Sequence, residues 1–369
     1  MNSIGQSVWS LRIAMAMLTC GTWTACGQTS VEQTYDSPSQ GLVFVRVSDG
    51  DGRDLFRARI ADAAVRRLTD TPEILESNPV WLPSVLRVLY VGRFLKDPRS
   101  APRLMMQDPR TGTADSVGAT NFLREQDASV SADGKLVAYV FEAPPGVLPS
   151  RGVRVVSPMT GRHDLLGVVP NASGYLSPRF SPEGGSVVAQ VRDAKRGDGL
   201  WLLESDGGGI PLVSNPRWND TDPRFAQLGG SIYFNRSFRR RTSKAPPLGG
   251  GDVCRVHLPS LRVDCVVQSE EAREYAVEPS PTRAEMLFVR ETDAATELFL
   301  AGLQGENERQ LTHSPSLVEQ RPVWSPDGDR IVYVDGSESE RRLVVIDRQG
   351  TVLFETPGDQ PAWAPAFAD

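Results

Sequence analysis

The stretch Arg321-Pro322-Val323-Trp324-Ser325-Pro326-Asp327-Gly328-Asp329-Arg330-Ile331-Val332-Tyr333-Val334 decides the fold, because it recurs. It reads as a short strand, a Pro/Asp-Gly turn and a second strand. The Asp-Gly step supplies the positive φ that a tight hairpin needs. Ile-Val-Tyr-Val is the β-branched and aromatic run of a buried strand. The same frame holds Ser177-Pro178-Arg179-Phe180-Ser181-Pro182-Glu183-Gly184 and Asp127-Ala128-Ser129-Val130-Ser131-Ala132-Asp133-Gly134. Weaker copies begin at Asn78 and Asp222, and a degenerate one contains Ser280-Pro281. The aromatic position or its equivalent falls at 81, 130, 180, 225, 279, 324 and 363, so the copies lie 39 to 54 residues apart.

Each pair of strands is followed by a third, such as Leu343-Val344-Val345-Ile346, and past a Gly-containing turn by a fourth, such as Thr351-Val352-Leu353-Phe354. Four antiparallel strands per unit make the blade of a β-propeller. The last copy, residues 360–365, has no room after it, and its missing strands stand at the other terminus as 41–45, 54–58 and 65–69. One blade split between the chain ends would close the ring and leave no exposed edge. The expectation is an all-β propeller over residues 40–369. Seven blades is the favoured count, with six and eight as the alternatives. Gly 33 and Pro 28 among 369 residues fit a chain of many hairpins.

These repeats resemble those of the TolB-type, WD40-like propellers. The shared pattern is Leu-Thr, a spacer, then Pro-x-Trp-Ser-Pro-Asp-Gly and an apolar strand. Here it stands as Leu311-Thr312 ahead of Pro322 to Gly328, and as Leu68-Thr69 ahead of Pro79 to Trp81. TolB itself has six blades and an α/β domain in front of them. This chain offers no stretch for that domain and carries one extra repeat. The resemblance therefore implies the fold and not TolB's own partnerships.

Residues 1–26 differ from the rest. A polar start with Arg12 precedes the apolar run Ile13-Ala14-Met15-Ala16-Met17-Leu18 and a small-residue end, the pattern of a secretory signal. The apolar part is well short of the ~20 residues of a membrane-spanning helix. Ala25-Cys26 resembles the end of a bacterial lipoprotein signal, with Cys26 as the lipidated residue; simple secretion with an ordinary cleavage site is the alternative. Gly27-Gln28, with no Asp after the Cys, implies by the same resemblance an outer-membrane anchor facing the periplasm or the cell surface. Residues 27–39 are polar and aperiodic and read as a flexible tether.

A net charge of −6 and a pI near 5.4 speak against nucleic-acid binding. No Gly-x-Ser-x-Gly elbow and no Gly-rich phosphate loop is present. His163, His257 and His313 fall at different places in different repeats, which gives no metal constellation. No catalytic, cofactor-binding or metal-ligating residue is expected, and the chain reads as not an enzyme. Around a Pro259-Ser260 turn Cys254 faces Cys265, which in an exported protein favours a cross-strand disulfide, with two buried thiols as the alternative. Arg236, Arg239, Arg240, Arg241 and Lys244 form the one strong cationic cluster, a solvated loop or a contact for an anionic partner.

The position three before the repeat aromatic holds Asn78, Asp127, Ser177, Asp222, Ala276, Arg321 and Gln360. Near the start of the innermost strand, Asn78, Asp127, Ser177, Asp222, Arg321 and Gln360 could line the channel mouth, or cap turns in bulk water. Two functions follow. The first is a non-catalytic envelope lipoprotein, monomeric, that binds a protein or envelope polymer and meets the membrane only through its anchor. The alternative is an enzyme or small-ligand binder, on carbohydrate or peptide, that uses the channel mouth.

Overall fold

The computed structural model describes residues 40–47, 52–96, 101–117, 124–193, 195–205, 207–227, 230–238, 251–313, 320–337 and 340–364, without the side chains of Gln320 and Arg321. Every regular element among them is a β-strand. Each hairpin forms for a reason legible in its residues. In Ser325-Pro326-Asp327-Gly328 the Ser325 hydroxyl donates to Asp327 Oδ1 (2.6 Å) and accepts the Arg330 N–H (2.9 Å), while Asp327 Oδ1 also accepts the Asp329 N–H (3.1 Å). Ser131 and Asp133 repeat this arrangement. Gly328 (φ 72°) and Gly134 (φ 70°) are required twice over, by backbone angle and by crowding. A Cβ at Gly134 would lie 2.6 Å from Pro83 of the preceding unit, and one at Gly328 would strike Thr282.

The strands form propeller blades of four. Five separate antiparallel sheets have four strands each, and one sheet has eight. The eight-stranded sheet has two halves. In one, the C-terminal strand Asp359–Ala364 pairs with Gly41–Val47, which pairs with Arg53–Arg59 and then Ala64–Arg67. In the other, Ile74–Leu82, Arg87–Phe94, Arg103–Gln107 and Ala114–Ser116 follow in order. A single parallel bridge, Arg53 to Leu75, joins the halves. Seven separate blades were expected, so the count of separate four-stranded sheets is corrected to five. The physical reason lies at the junction itself, where the bridge from Arg53 to Leu75 stands beside the Glu76 carboxylate that accepts the Leu55 N–H and holds the start of Ile74–Leu82 against Arg53–Arg59.

The apolar core is distributed rather than central. Val43, Val45 and Leu55 pack on Trp81, Val88 and Tyr90 across the two halves of the large sheet. Leu42, Phe44 and Ala58 pack on Val332, Val334 and Leu343 of the last four-stranded sheet. Leu89, Val91 and Leu104 pack on Val137, Tyr139 and Phe141. Cys254 and Cys265 are joined as a disulfide across paired strands, with Cα atoms 3.8 Å apart.

Polar latches act both within a unit and between consecutive units. Thr69 of the Leu-Thr motif accepts the Leu55 N–H (2.8 Å) and donates to Glu76 Oε2 (2.5 Å), and Glu76 Oε2 accepts the same Leu55 N–H (2.8 Å). Glu125 accepts the Leu104 N–H one unit later (3.1 Å). Thr312 accepts the Leu298 N–H (2.9 Å) and donates to Glu297 (2.6 Å). The repeat tryptophans add a second hook. Trp324 Nε1 donates to the Glu278 carbonyl (3.1 Å) and Trp363 Nε1 to the Val323 carbonyl (3.2 Å), each in the preceding unit.

Two tests follow from the latches. Thr312→Val leaves the buried Leu298 N–H without its acceptor and is expected to destabilise the fold by about 1–3 kcal/mol in denaturant titration. Glu76 is fully buried, and burial pushes its carboxyl up from 4.5 to about 7 against the pull of Thr69 and Thr71. The folded protein therefore binds a proton that the unfolded chain has lost across this interval, so stability declines as pH rises from about 4.5 to 7. Glu76→Gln should abolish that decline, which amounts to about 3 kcal/mol at most. Parallel melting-temperature curves for the two proteins between pH 4.5 and 8 would show that the proton is not held there.

Candidate functional site

The first strands of all the units meet around one cavity of about 430 Å³. They are Ile74–Leu82, Arg124–Val130, Ala172–Phe180, Trp218–Phe225, Arg273–Pro279, Gln320–Trp324 and Asp359–Ala364. Each pairs with its neighbour through a register shift at mid-strand. At that shift Asn78, Asp127, Ser177, Asp222, Ala276 and Gln360 all adopt positive φ, between 47° and 55°. The left-handed conformation costs a non-glycine residue about 1–2 kcal/mol. It also turns the residue out of the ladder and toward the cavity.

Asn78, Asp127, Ser177, Asp222 and Gln360 line the cavity, as does Ala276. The side chain of Arg321 lies outside the described residues, although Pro322 and Val323 beside it line the wall. Two members of this ring cap the strand that follows. Gln360 Oε1 accepts the Asn78 N–H (2.6 Å), and Asp127 Oδ2 accepts the Ser177 N–H at 3.5 Å.

Three further cavity residues, Arg179, Arg224 and Glu278, escaped the sequence reading. They stand two positions after the ring in the same repeat frame, where the other copies carry Val80, Ser129, Val323 and Ala362. Charge in three consecutive copies at a position otherwise small or apolar was the available signal. Arg224 is bound on both sides, with Nε to Glu278 (2.7 Å), and Nη1 to Asp222 (2.7 Å) and the Pro223 carbonyl (3.1 Å). Burial opposes its charge, but Asp222 and Glu278 outweigh that and hold its pKa above the usual value. Arg179 is different. Burial and then the like charge of Arg224 push it down to about 10.

The wall is therefore divided. Asp127, Arg179, Asp222, Arg224 and Glu278 give four consecutive strands a charged face. On the remaining strands the described lining residues, Asn78, Pro79, Val80, Pro322, Val323, Gln360 and Pro361, are uncharged. Such a wall can orient a polar ligand by its charges and exclude water along its proline side.

The remaining sequence candidates lie elsewhere. Cys26, Arg239, Arg240, Arg241 and Lys244 are outside the described residues. Arg236 does not belong to a free basic loop, and that expectation is corrected. Its guanidinium grips the buried Asp220 with two hydrogen bonds (2.7 and 3.1 Å) and lies over Trp218 and Phe234. A paired, mostly buried arginine neutralises a carboxylate rather than presenting charge. His163 contacts Tyr139, His257 pairs with Asp264, and His313 contacts Gln310. The sulfurs of Cys254 and Cys265 lie within 4.8 Å of an Asp252 carboxylate oxygen, but bonded sulfurs supply no thiolate.

No known family model matches the chain. A relative from Agrobacterium fabrum, "Uncharacterized protein Atu1656", is 25% identical over 312 residues, 80% of this chain and 97% of the relative. Among solved structures, one from a study of two prolyl endopeptidases matches with a TM-score of 0.66 at 13% identity, over 89% of this chain and 49% of that one. The chain thus spans about half the length of that enzyme. An oligogalacturonate lyase in complex with manganese matches with a TM-score of 0.58 at 13% identity, over 84% of this chain and 83% of that one. TolB from Acinetobacter baumannii matches with a TM-score of 0.51 at 15% identity, over 89% of this chain and 67% of that one. Likeness at this identity shows the fold alone. It does overturn the expectation that the chain is not an enzyme. Peptidases and a lyase share this propeller, so a missing hydrolase elbow does not separate the fold from catalysis. The chain has the fold of the TolB-type β-propellers.

Proposed function

We propose that this protein is an exported, lipid-anchored propeller that takes its ligand, carried by a protein or an envelope polymer or free, into the mouth of its central cavity. The eight-stranded sheet counts here as two blades, so that seven inner strands frame the mouth. The observation that carries the reading is the divided wall. A cavity of about 430 Å³ with charge on one side and proline on the other is the size and chemistry of a ligand site rather than of a packed core. The left-handed residues that hold its polar groups in place are a cost the fold bears at six strands, and such strain clusters at functional sites. The signal over residues 1–26, the lipidation at Cys26 and the tether of residues 27–39 would place the mouth in the cell envelope, held at the outer membrane.

The test blocks the mouth without touching the core. Ser177→Tyr puts a bulky ring at a position where other copies carry Asp127 and Gln360, so the backbone already accepts a side chain there. Affinity capture from the envelope fraction with the wild-type protein, this variant and the exposed hairpin variant Thr160→Ala should recover the ligand with the first and third only. Equal recovery by all three sinks the reading. A hydrolytic or lyase activity on a polymer panel that is lost with Ser177→Tyr would replace binding by catalysis at the same mouth. A fatty-acid probe should label the wild type and not Cys26→Ala; persistence of the label would move the anchor elsewhere.

A further inference from the structure

Two neighbours on the charged face stand apart from the rest. Arg224 spends its guanidinium on Asp222, Glu278 and a carbonyl. Arg179, among the described residues, makes one hydrogen bond, from Nη1 to the carbonyl of its own neighbour Pro178 (2.8 Å). Its closest carboxylate oxygen, Asp222 Oδ1 at 3.9 Å, is already held by Arg224 at 2.7 Å. A guanidinium has five N–H donors in a fixed fork, so most of this one is unspent. Asp127 on the adjacent first strand is in the matching condition. Among the described residues it accepts only the Ser177 N–H, at 3.5 Å, and forms no ion pair with Arg179.

A cation and an anion thus sit side by side on one wall of a cavity, both poorly satisfied and not joined to each other. A lone anion would find Arg179 but be repelled by Asp127, and a lone cation the reverse. A ligand that carries both charges a few ångströms apart satisfies both residues at once. An α-amino acid or short peptide has that arrangement, with a carboxylate for the fork of an arginine and an ammonium for a carboxylate. The uncharged lining of Pro79, Val80, Pro322 and Pro361 suits an apolar side chain. Resting on the channel-mouth reading above, we infer that the cavity binds a small zwitterion, a free amino acid or short peptide, with Arg179 receiving its carboxylate and Asp127 its ammonium.

The probe is alanyl-leucine, compared with N-acetyl-alanyl-leucine and alanyl-leucine amide by calorimetric titration of the mature protein. The free dipeptide should bind, and removing either charge should weaken it at least tenfold. Asp127→Asn should erase the penalty for acetylation, and Arg179→Gln the penalty for amidation, each to within about twofold. Because the ligand arms need no variant, the inference stays testable even if one substitution unfolds the protein. Absence of dipeptide binding up to about 10 mM overturns it, as does equal binding of the acetylated or amidated form. If the dipeptide fails while Ser177→Tyr still abolishes capture from the envelope, only the zwitterion assignment falls. If Ser177→Tyr also leaves capture unchanged, the channel-mouth reading falls with it.

Discussion

A residue held at positive φ in the middle of six of the seven first strands is the constraint on which the cavity depends. An uninterrupted strand would keep its amides in the ladder and turn alternate side chains in regular order toward the centre. The left-handed residue breaks the register, frees its own N–H and aims short polar groups inward. Two of the freed N–H groups are satisfied by side chains of the neighbouring first strand, Asn78 by Gln360 and Ser177 by Asp127, while that of Gln360 goes to Asp359 of its own strand. Blade assembly and the polar lining of the cavity are thus consequences of one backbone distortion, repeated at Asn78, Asp127, Ser177, Asp222, Ala276 and Gln360.

Around that centre the strands are fastened at three places, two between units and one mainly within them. Bulge-to-bulge hydrogen bonds act innermost. Indole hooks from Trp324 and Trp363 act next, since each reaches the carbonyl beside the neighbouring unit's bulge. The threonine latches at Thr69 and Thr312 tie the third strand of a unit to its fourth. At Thr69 the Glu76 carboxylate extends the tie into the next first strand. Each motif residue of the repeat that looks decorative in isolation has a partner in the polar accounting that buried backbone groups impose. The exceptions to the repeat are where chemistry collects: Arg179, Arg224 and Glu278 break a small or apolar position, and they do so on adjacent strands.

Much of this architecture was legible in the residues. Ser-Pro-Asp-Gly forces a hairpin through its own side-chain hydrogen bonds, and Ile331 to Val334 must bury in a strand. The facing cysteines and the pairing of the last strand with Gly41–Val47 followed from alternation and from a missing complement. These are local rules, or rules of counting, and a chain carries them in order. The ring of polar residues could be located in the frame for the same reason, although its left-handed backbone could not. No propensity marks Gln360 or Ala276 for that conformation, which only the crowding of strands at a common centre enforces.

What the tertiary structure decided was the company each charge keeps. Arg224 meets Glu278 across 54 residues of sequence, and Arg236 grips Asp220. The bridge from Arg53 to Leu75 merges two repeats into one sheet, which periodicity alone counts as two. Periodicity places a side chain on a face and fixes its spacing along its own strand. Whether it ends up paired, as Arg224 is, or left with unspent donors among the described residues, as Arg179 is, depends on side chains from other strands, and their distances are set only when the units pack together.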